Sequence, residues 1–242
     1  MNVSHQENHV QSSQALKDLV LGMADGLTVP FALAAGLSGA VDSTHIIVIA
    51  CLAEIAAGGI AMGLGGYLAA KTEADHYQSE YQREVFEIET LPEVETKETA
   101  EILQNFGVKE ADLPIVVEAI KSDPKKWVDF MMRFELGLEK PCPSRLILSP
   151  LRIGLSYVVG GFIPLIPYFF FAHVKSALMH SVLITLIALL IFGAFKGHFT
   201  GRNLFASAFQ MVLIGGLASA AAFSIAKAIS CPDGDEDMGT SG

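Results

Sequence analysis

Apolar residues run in five long blocks along the chain, over 17–37, 46–70, 151–171, 176–195 and 203–229. Each is long enough to cross a bilayer as a helix, which takes about 20 mostly apolar residues. The connections after the first, third and fourth blocks are short. The connection after the second is a 77-residue polar segment, 72–148. Its pattern is also helical. The second apolar block predicts a helix that continues past Lys71 to Glu89, because nothing breaks it before Pro92. A second helix is expected over 93–105, ended by Gly107 as a C-cap. A short third starts near Glu110. A fourth opens at Asp123-Pro124, an N-cap followed by proline in the first turn. The fold class expected is therefore an all-α membrane protein with five transmembrane helices and a helical insert between the second and third.

Two features qualify the spans. Gly58, Gly59, Ala61, Gly63, Gly65 and Gly66 crowd the second one, and Gly59-x-x-x-Gly63 lets two helix backbones approach closely. That seam serves either a dimer or packing within the chain. Pro30, Pro164 and Pro167 are expected to kink their spans by removing backbone hydrogen bonds.

Composition agrees with this reading: 51% of the 242 residues are hydrophobic and 17% charged, with mean hydropathy +0.44. Soluble domains carry about 25% charged residues. The charge is unevenly placed. Residues 72–148 hold 17 acids against nine Lys and Arg, and Asp233, Asp235, Glu236 and Asp237 lie near the end. A strongly acidic insert excludes nucleic acid as the main partner, since phosphates need a basic face; it points to cations. Cys51, Cys142 and Cys231 form no C-x-x-C. The polar first fifteen residues carry no basic start or cleavage site, so no signal peptide is expected.

Five spans put the termini on opposite sides. With a cytosolic N-terminus, Lys17, Lys71, Arg145, Arg152, Lys196 and Arg202 flank the inner face, and only Lys175 and Lys227 the outer. That bias follows the positive-inside rule and makes the insert cytosolic.

Asp25 and Glu54 lie deep inside the first and second spans, where a charge costs at least a few kcal/mol and marks a functional position. No span carries an interior Lys or Arg to neutralise them, so a transported cation or a proton must do so; the plainer reading is a structural hydrogen bond to a neighbouring helix. Met62 lies two turns cytosolic of Glu54 and offers a soft thioether, or simply packs. In the insert, Glu73, Glu80, Glu84 and Glu87 fall on one helical stripe, whose like charges repel unless a cation bridges them. Glu95 and Glu98 sit three apart on the next helix, and Met131, Met132 and Glu135 close the last. Carboxylates with thioethers suit a borderline divalent metal such as Fe²⁺, Co²⁺ or Zn²⁺. Each motif alone is also what a solvated helix face or an amphipathic core presents. The excess of apolar residues and the deficit of charge argue against an ordinary cytosolic enzyme, and no enzyme is expected.

Gly22-Met23-Ala24-Asp25-Gly26-Leu27-Thr28-Val29-Pro30-Phe31 resembles the first-span signature of the vacuolar iron transporter family, which includes the yeast vacuolar iron and manganese carrier. The glycine-rich second span with Glu54 and Met62 is similar too. So are Ser149-Pro150-Leu151-Arg152 and Gly160-Gly161-Phe162-Ile163-Pro164-Leu165-Ile166-Pro167. The resemblance covers about residues 17–229, and the size of the insert resembles plant members most. It implies a homodimer that moves Fe²⁺ from cytosol to vacuole in exchange for protons, with Asp25, Glu54 and Met62 on the path. It also implies an insert that binds metal through Glu84, Glu87, Glu95, Glu98, Met131, Met132 and Glu135.

The organisation expected is a polar tail (1–16), spans one and two (17–71), a cytosolic metal-binding insert (72–148), spans three to five (149–229) and an acidic lumenal tail (230–242). The partners are a second copy, divalent metals, protons and lipid. No prosthetic group is expected; Fe²⁺ is substrate, and Zn²⁺, Co²⁺ or Mn²⁺ could also occupy the insert. Two alternatives stand: a membrane-anchored metal sensor or store, and a Mn²⁺ or Zn²⁺ carrier of the same architecture. An anchor has no use for Asp25 or Glu54.

Overall fold

The apolar blocks are helical despite their glycines and prolines, because a backbone in apolar surroundings must satisfy its own hydrogen bonds, and the insert is rich in Glu, Lys and Leu, good helix formers. The computed structural model describes the backbone of residues 9–230 and the side chains of residues 14–229. Its helices are α1 (His9–Ala40), α2 (Thr44–Thr90), α3 (Pro92–Asn105), α4 (Leu113–Lys121), α5 (Pro124–Phe134), α6 (Arg145–Phe170), α7 (Val174–Phe199) and α8 (Leu204–Ser230). Five of them, α1, α2, α6, α7 and α8, are long and apolar enough to cross a membrane. The helices outrun the sequence reading at their polar ends. α1 begins by His9, inside the segment read as a tail, and α6 begins at Arg145, before Pro150. The acidic residues after Ser230 lie outside the described residues.

Contacts divide the chain into two units: one holds the described residues through Gly66 and from Leu148 onward, the other Tyr67–Ile147. α2 contributes to both.

In the apolar unit the best-buried spans are α6 and α1, with 50% and 44% of their apolar windows buried against 11% for α8. These two helices form its centre. Glycine sets the packing. A Cβ at Gly26 would run into the Tyr157 backbone, and one at Gly160 would come within 3.1 Å of backbone atoms of Met23, Gly26 and Leu27. α1 and α6 thus meet backbone to backbone. On the other side of α6, a Cβ at Gly154 would lie 2.9 Å from the Gly59 carbonyl, and one at Gly63 would lie 3.3 Å from the Pro150 carbonyl. The Gly59–Gly63 seam is therefore used within the chain, against α6. Gly65, by contrast, has open space around its Cβ position. α1 also packs on α7 and α8. α1 and α6 each stay a single helix through their prolines. The Ser181 hydroxyl donates to the Pro164 carbonyl at 2.7 Å, binding α7 to α6. Ala34, Ile47, Cys51, Ile55, Leu165, Tyr168, Val174 and Ala177 fill the core between α1, α2, α6 and α7.

In the polar unit α5 is the keystone. Its strongly amphipathic face buries Trp127, Val128, Met131 and Met132 against Ile88, with Tyr77, Tyr81 and Val85 of α2 packed round them. The Asp123 carboxylate caps α5 by accepting from the Lys125 and Lys126 amides at 3.1 and 3.5 Å. Gly107 ends α3 with φ +89°, a conformation that costs other residues a Cβ clash. α4 starts at Leu113, three residues after the expected point, because Lys109 closes a turn first through its carbonyl to the Asp112 and Leu113 amides.

Candidate metal sites

Two sets of carboxylates stand apart from the ordinary surface acids. The first is in the polar unit. α2 supplies Glu84, α3 supplies Glu95, and Glu135 caps the C-terminus of α5. One ligand oxygen from each lies within 4.8 Å of the others. Glu84 is 1% and Glu95 4% exposed, while Glu135 is exposed. Glu84 Oε1 and Glu95 Oε2 are buried with no hydrogen-bond partner.

Burial and mutual repulsion favour the protonated form of such acids. Burial first, then the Glu95 and Glu135 charges, pushes Glu84 up to about 8. Glu95 and Glu135 are also raised, by burial first and then by neighbouring carboxylates, Glu98 foremost. Such a group is costly as it stands. It is a suitable nest for a divalent cation, which would neutralise the charge and use the orphaned oxygens.

Of the acids expected to form one repelling stripe, only Glu84 enters this cluster. Glu73 pairs with Arg145. Glu80 pairs with Arg83 at 3.1 Å, and Glu87 faces the same guanidinium at 3.6 Å. Basic neighbours relieve the stripe, so no bridging metal is needed along it. Glu87 and Glu98 are half-buried and act on the cluster through their charge. Met131 and Met132 are fully buried in the core beside Trp127. The Met131 sulfur lies 3.4 Å from the Thr99 hydroxyl oxygen. Thr99 in turn accepts from the Trp127 indole at 2.8 Å and donates to the Glu95 carbonyl at 2.7 Å. Thr99 and Trp127 escaped the sequence reading; an uncharged side chain in a polar helix gives no signal of what it will touch.

The second set is in the apolar unit. Asp25 is half-buried on α1 and makes no hydrogen bond or ion pair among the described residues. Glu54 on α2 is half-buried, and its Oε1 accepts a hydrogen bond from the Tyr157 hydroxyl of α6. Its Oε2 is buried without a partner. Tyr157 is 3% exposed. Met62 is half-buried and makes no polar contact to either acid. No Lys or Arg pairs with Asp25 or Glu54 among the described residues. At one end of α1, Asp18 accepts from the Ser149 hydroxyl at 2.8 Å and lies 3.9 Å from Arg152. Ser149 and Arg152 stand in one of the motifs quoted above, but their meeting with Asp18 was not legible in the sequence, and Tyr157 was not singled out there. The only hint was one hydroxyl-bearing ring between two glycines of an apolar span.

Comparison with known proteins agrees with the pattern. The model of the VIT family matches residues 16–227. Vacuolar iron transporter 1 of Oryza sativa subsp. japonica is 54% identical over 225 residues, covering 93% of this chain and 89% of the relative. The Arabidopsis thaliana protein of the same name is also 54% identical, covering 93% and 90%. Protein CCC1 of Saccharomyces cerevisiae is 35% identical over 223 residues, covering 88% of this chain and 69% of the relative. With five apolar helices, unpaired acids within them and a family match over nearly its whole length, this chain belongs to the VIT family.

Proposed function

We propose that this chain is a proton-coupled carrier that moves Fe²⁺ from the cytosol into the vacuole, working as a homodimer. The observation that carries the reading is the pair Asp25 and Glu54: two carboxylates within apolar helices, with no cationic side chain against them among the described residues. Uncompensated charge there is too costly to serve packing. An acid that exchanges a proton for a metal has a reason to be there. The names of the relatives from rice, Arabidopsis thaliana and other plants supply the metal and the membrane. The six-to-two distribution of flanking basic residues supports a cytosolic N-terminus and polar unit, and a lumenal C-terminus.

In this reading the path is lined by Asp25, Glu54 and Met62. The cluster of Glu84, Glu95 and Glu135, with Glu87, Glu98, Met131 and Met132 around it, collects the metal from the cytosol. A two-fold arrangement supplies the helices that five spans alone lack for a sealed path. Mn²⁺, Co²⁺ and Zn²⁺ are within reach of the same ligand types. The test is uptake by proteoliposomes. Fe²⁺ entry should rise with an imposed proton gradient of the right sign, and collapse of that gradient by an ionophore should abolish the rise. Uptake indifferent to the gradient would overturn proton coupling. No uptake of any divalent metal would favour an anchored store.

A further inference from the structure

The carrier reading uses Glu54 but leaves its surroundings unexplained. An isolated glutamate on an apolar helix has several rotamers and nothing polar to choose between them. Here one choice is enforced. Glu54 Oε1 is held by the Tyr157 hydroxyl, while Oε2 is buried and unpartnered. We propose that Tyr157 is a positioning residue for ion capture: it fixes one oxygen of Glu54 and leaves the other, buried and without a hydrogen-bond partner, as the one that takes the cation. The proposal rests on the reading of Glu54 as a transport residue.

Three observations support the role. First, Tyr157 is itself held firmly. Its backbone lies against Gly26, next to Asp25 on α1, and its ring lies against Gly58, one turn from Glu54 on α2. It is thus in contact with both acid-bearing helices at the level of their acids. Second, the fit depends on a missing side chain. A Cβ at Gly58 would lie 2.6 Å from the ring atoms Cε1 and Cζ and closer still to the hydroxyl, so only glycine leaves the phenol where it reaches Glu54. Third, the chemistry is suited to a carrier. A phenol donates one hydrogen bond to a carboxylate without cancelling its charge. A lysine or arginine in its place would neutralise Glu54 and compete with the ion.

The experiment uses full-length protein in proteoliposomes with Fe²⁺ varied across a wide range. Tyr157→Phe removes only the hydroxyl. It should raise KM about tenfold and leave the maximal rate within about twofold. One decade corresponds to ~1.4 kcal/mol, the low end for a hydrogen bond to a charged group. Gly58→Ala displaces the same hydroxyl from the α2 side and should raise KM similarly. The double variant should be no worse than the more impaired single one, because both remove one interaction. Wild-type KM in Tyr157→Phe, a lost maximal rate with KM unchanged, or fully multiplicative effects of the two variants would each overturn the proposal. Glu54→Gln separates the two levels. If it is inactive while Tyr157→Phe is normal, the positioning role fails and the carrier reading stands. If Glu54→Gln itself transports normally, the reading of Glu54 fails.

Discussion

Replacing Glu84 by glutamine should stabilise the metal-free polar unit while weakening its hold on metal. Glu84 shifts from an ordinary value of 4.5 to about 8 because it is buried and faces other acids. At pH 7 it is protonated in the folded unit and ionised in the unfolded chain. Adding that proton at pH 7 costs about 1.4 kcal/mol for each of the roughly 2.5 pH units above its ordinary value, or about 3 kcal/mol. The sign follows from proton uptake. The folded form binds more protons than the unfolded one, so its stability falls as pH rises from about 4.5 to about 8 and is level above that. Glutamine carries no charge and removes this term. Its buried amide needs partners of its own, which takes back about 1–2 kcal/mol. The net gain expected at pH 7 is about 1–2 kcal/mol, or about 1 M in urea midpoint for a unit of this size. The chain contains a single tryptophan, and Trp127 is buried in the core beside the cluster. Its fluorescence therefore reports this unit alone in the full-length protein in detergent. In chelator, Glu84→Gln should unfold at higher urea than wild type at pH 7 and show a flatter pH dependence. With Co²⁺ at 100 times its dissociation constant, the wild type should gain about 2.7 kcal/mol and overtake the variant. A variant less stable than wild type in chelator at pH 7, or a wild type whose stability rises between pH 5 and 8, would refute the electrostatic account.

Other expectations follow from the same geometry. Asp25→Ala and Glu54→Gln should each abolish Fe²⁺ uptake while eluting as folded protein in size exclusion, since neither acid makes an ion pair the fold depends on. Thr99→Val should strip the Trp127 indole of its acceptor and cost about 1–3 kcal/mol in the urea transition, with a changed Trp127 emission. Gly154→Leu should reduce folded yield sharply, because its Cβ alone would lie 2.9 Å from the Gly59 carbonyl and neither backbone can yield freely.

The elements were largely legible from local pattern, and the site only in part. The length of α2 follows from the absence of a breaker before Pro92, and the starts and ends of α5 and α3 from Asp123-Pro124 and Gly107. These are local signals. The grouping of carboxylates is not local. Glu84, Glu95 and Glu135 come from three helices, and spacing cannot tell Glu84 from Glu80 or Glu87 one turn away on the same stripe. What separates them is the neighbour each meets: Arg83 for Glu80 and Glu87, and two other acids for Glu84. The glycines of α2 had two readings of equal standing until Gly154 and Pro150 proved to lie against them. Tyr157 gave no periodic signal at all; its importance is a matter of which hydroxyl reaches which carboxylate across two helices.

The division of labour between the two acid sets is the central claim, and an Fe²⁺ concentration series tests it most directly. Initial uptake rates would be measured in proteoliposomes for wild type, for Asp25→Ala, and for a variant with Glu84, Glu95 and Glu135 all changed to alanine. A collecting site raises supply at low metal and is dispensable when metal is abundant. A site on the path is needed always. The cluster variant should therefore be slow at low Fe²⁺ and recover substantial transport at saturation, while Asp25→Ala stays inactive throughout. Equal loss in both variants at saturating Fe²⁺ would contradict the claim and make the cluster part of the obligatory route.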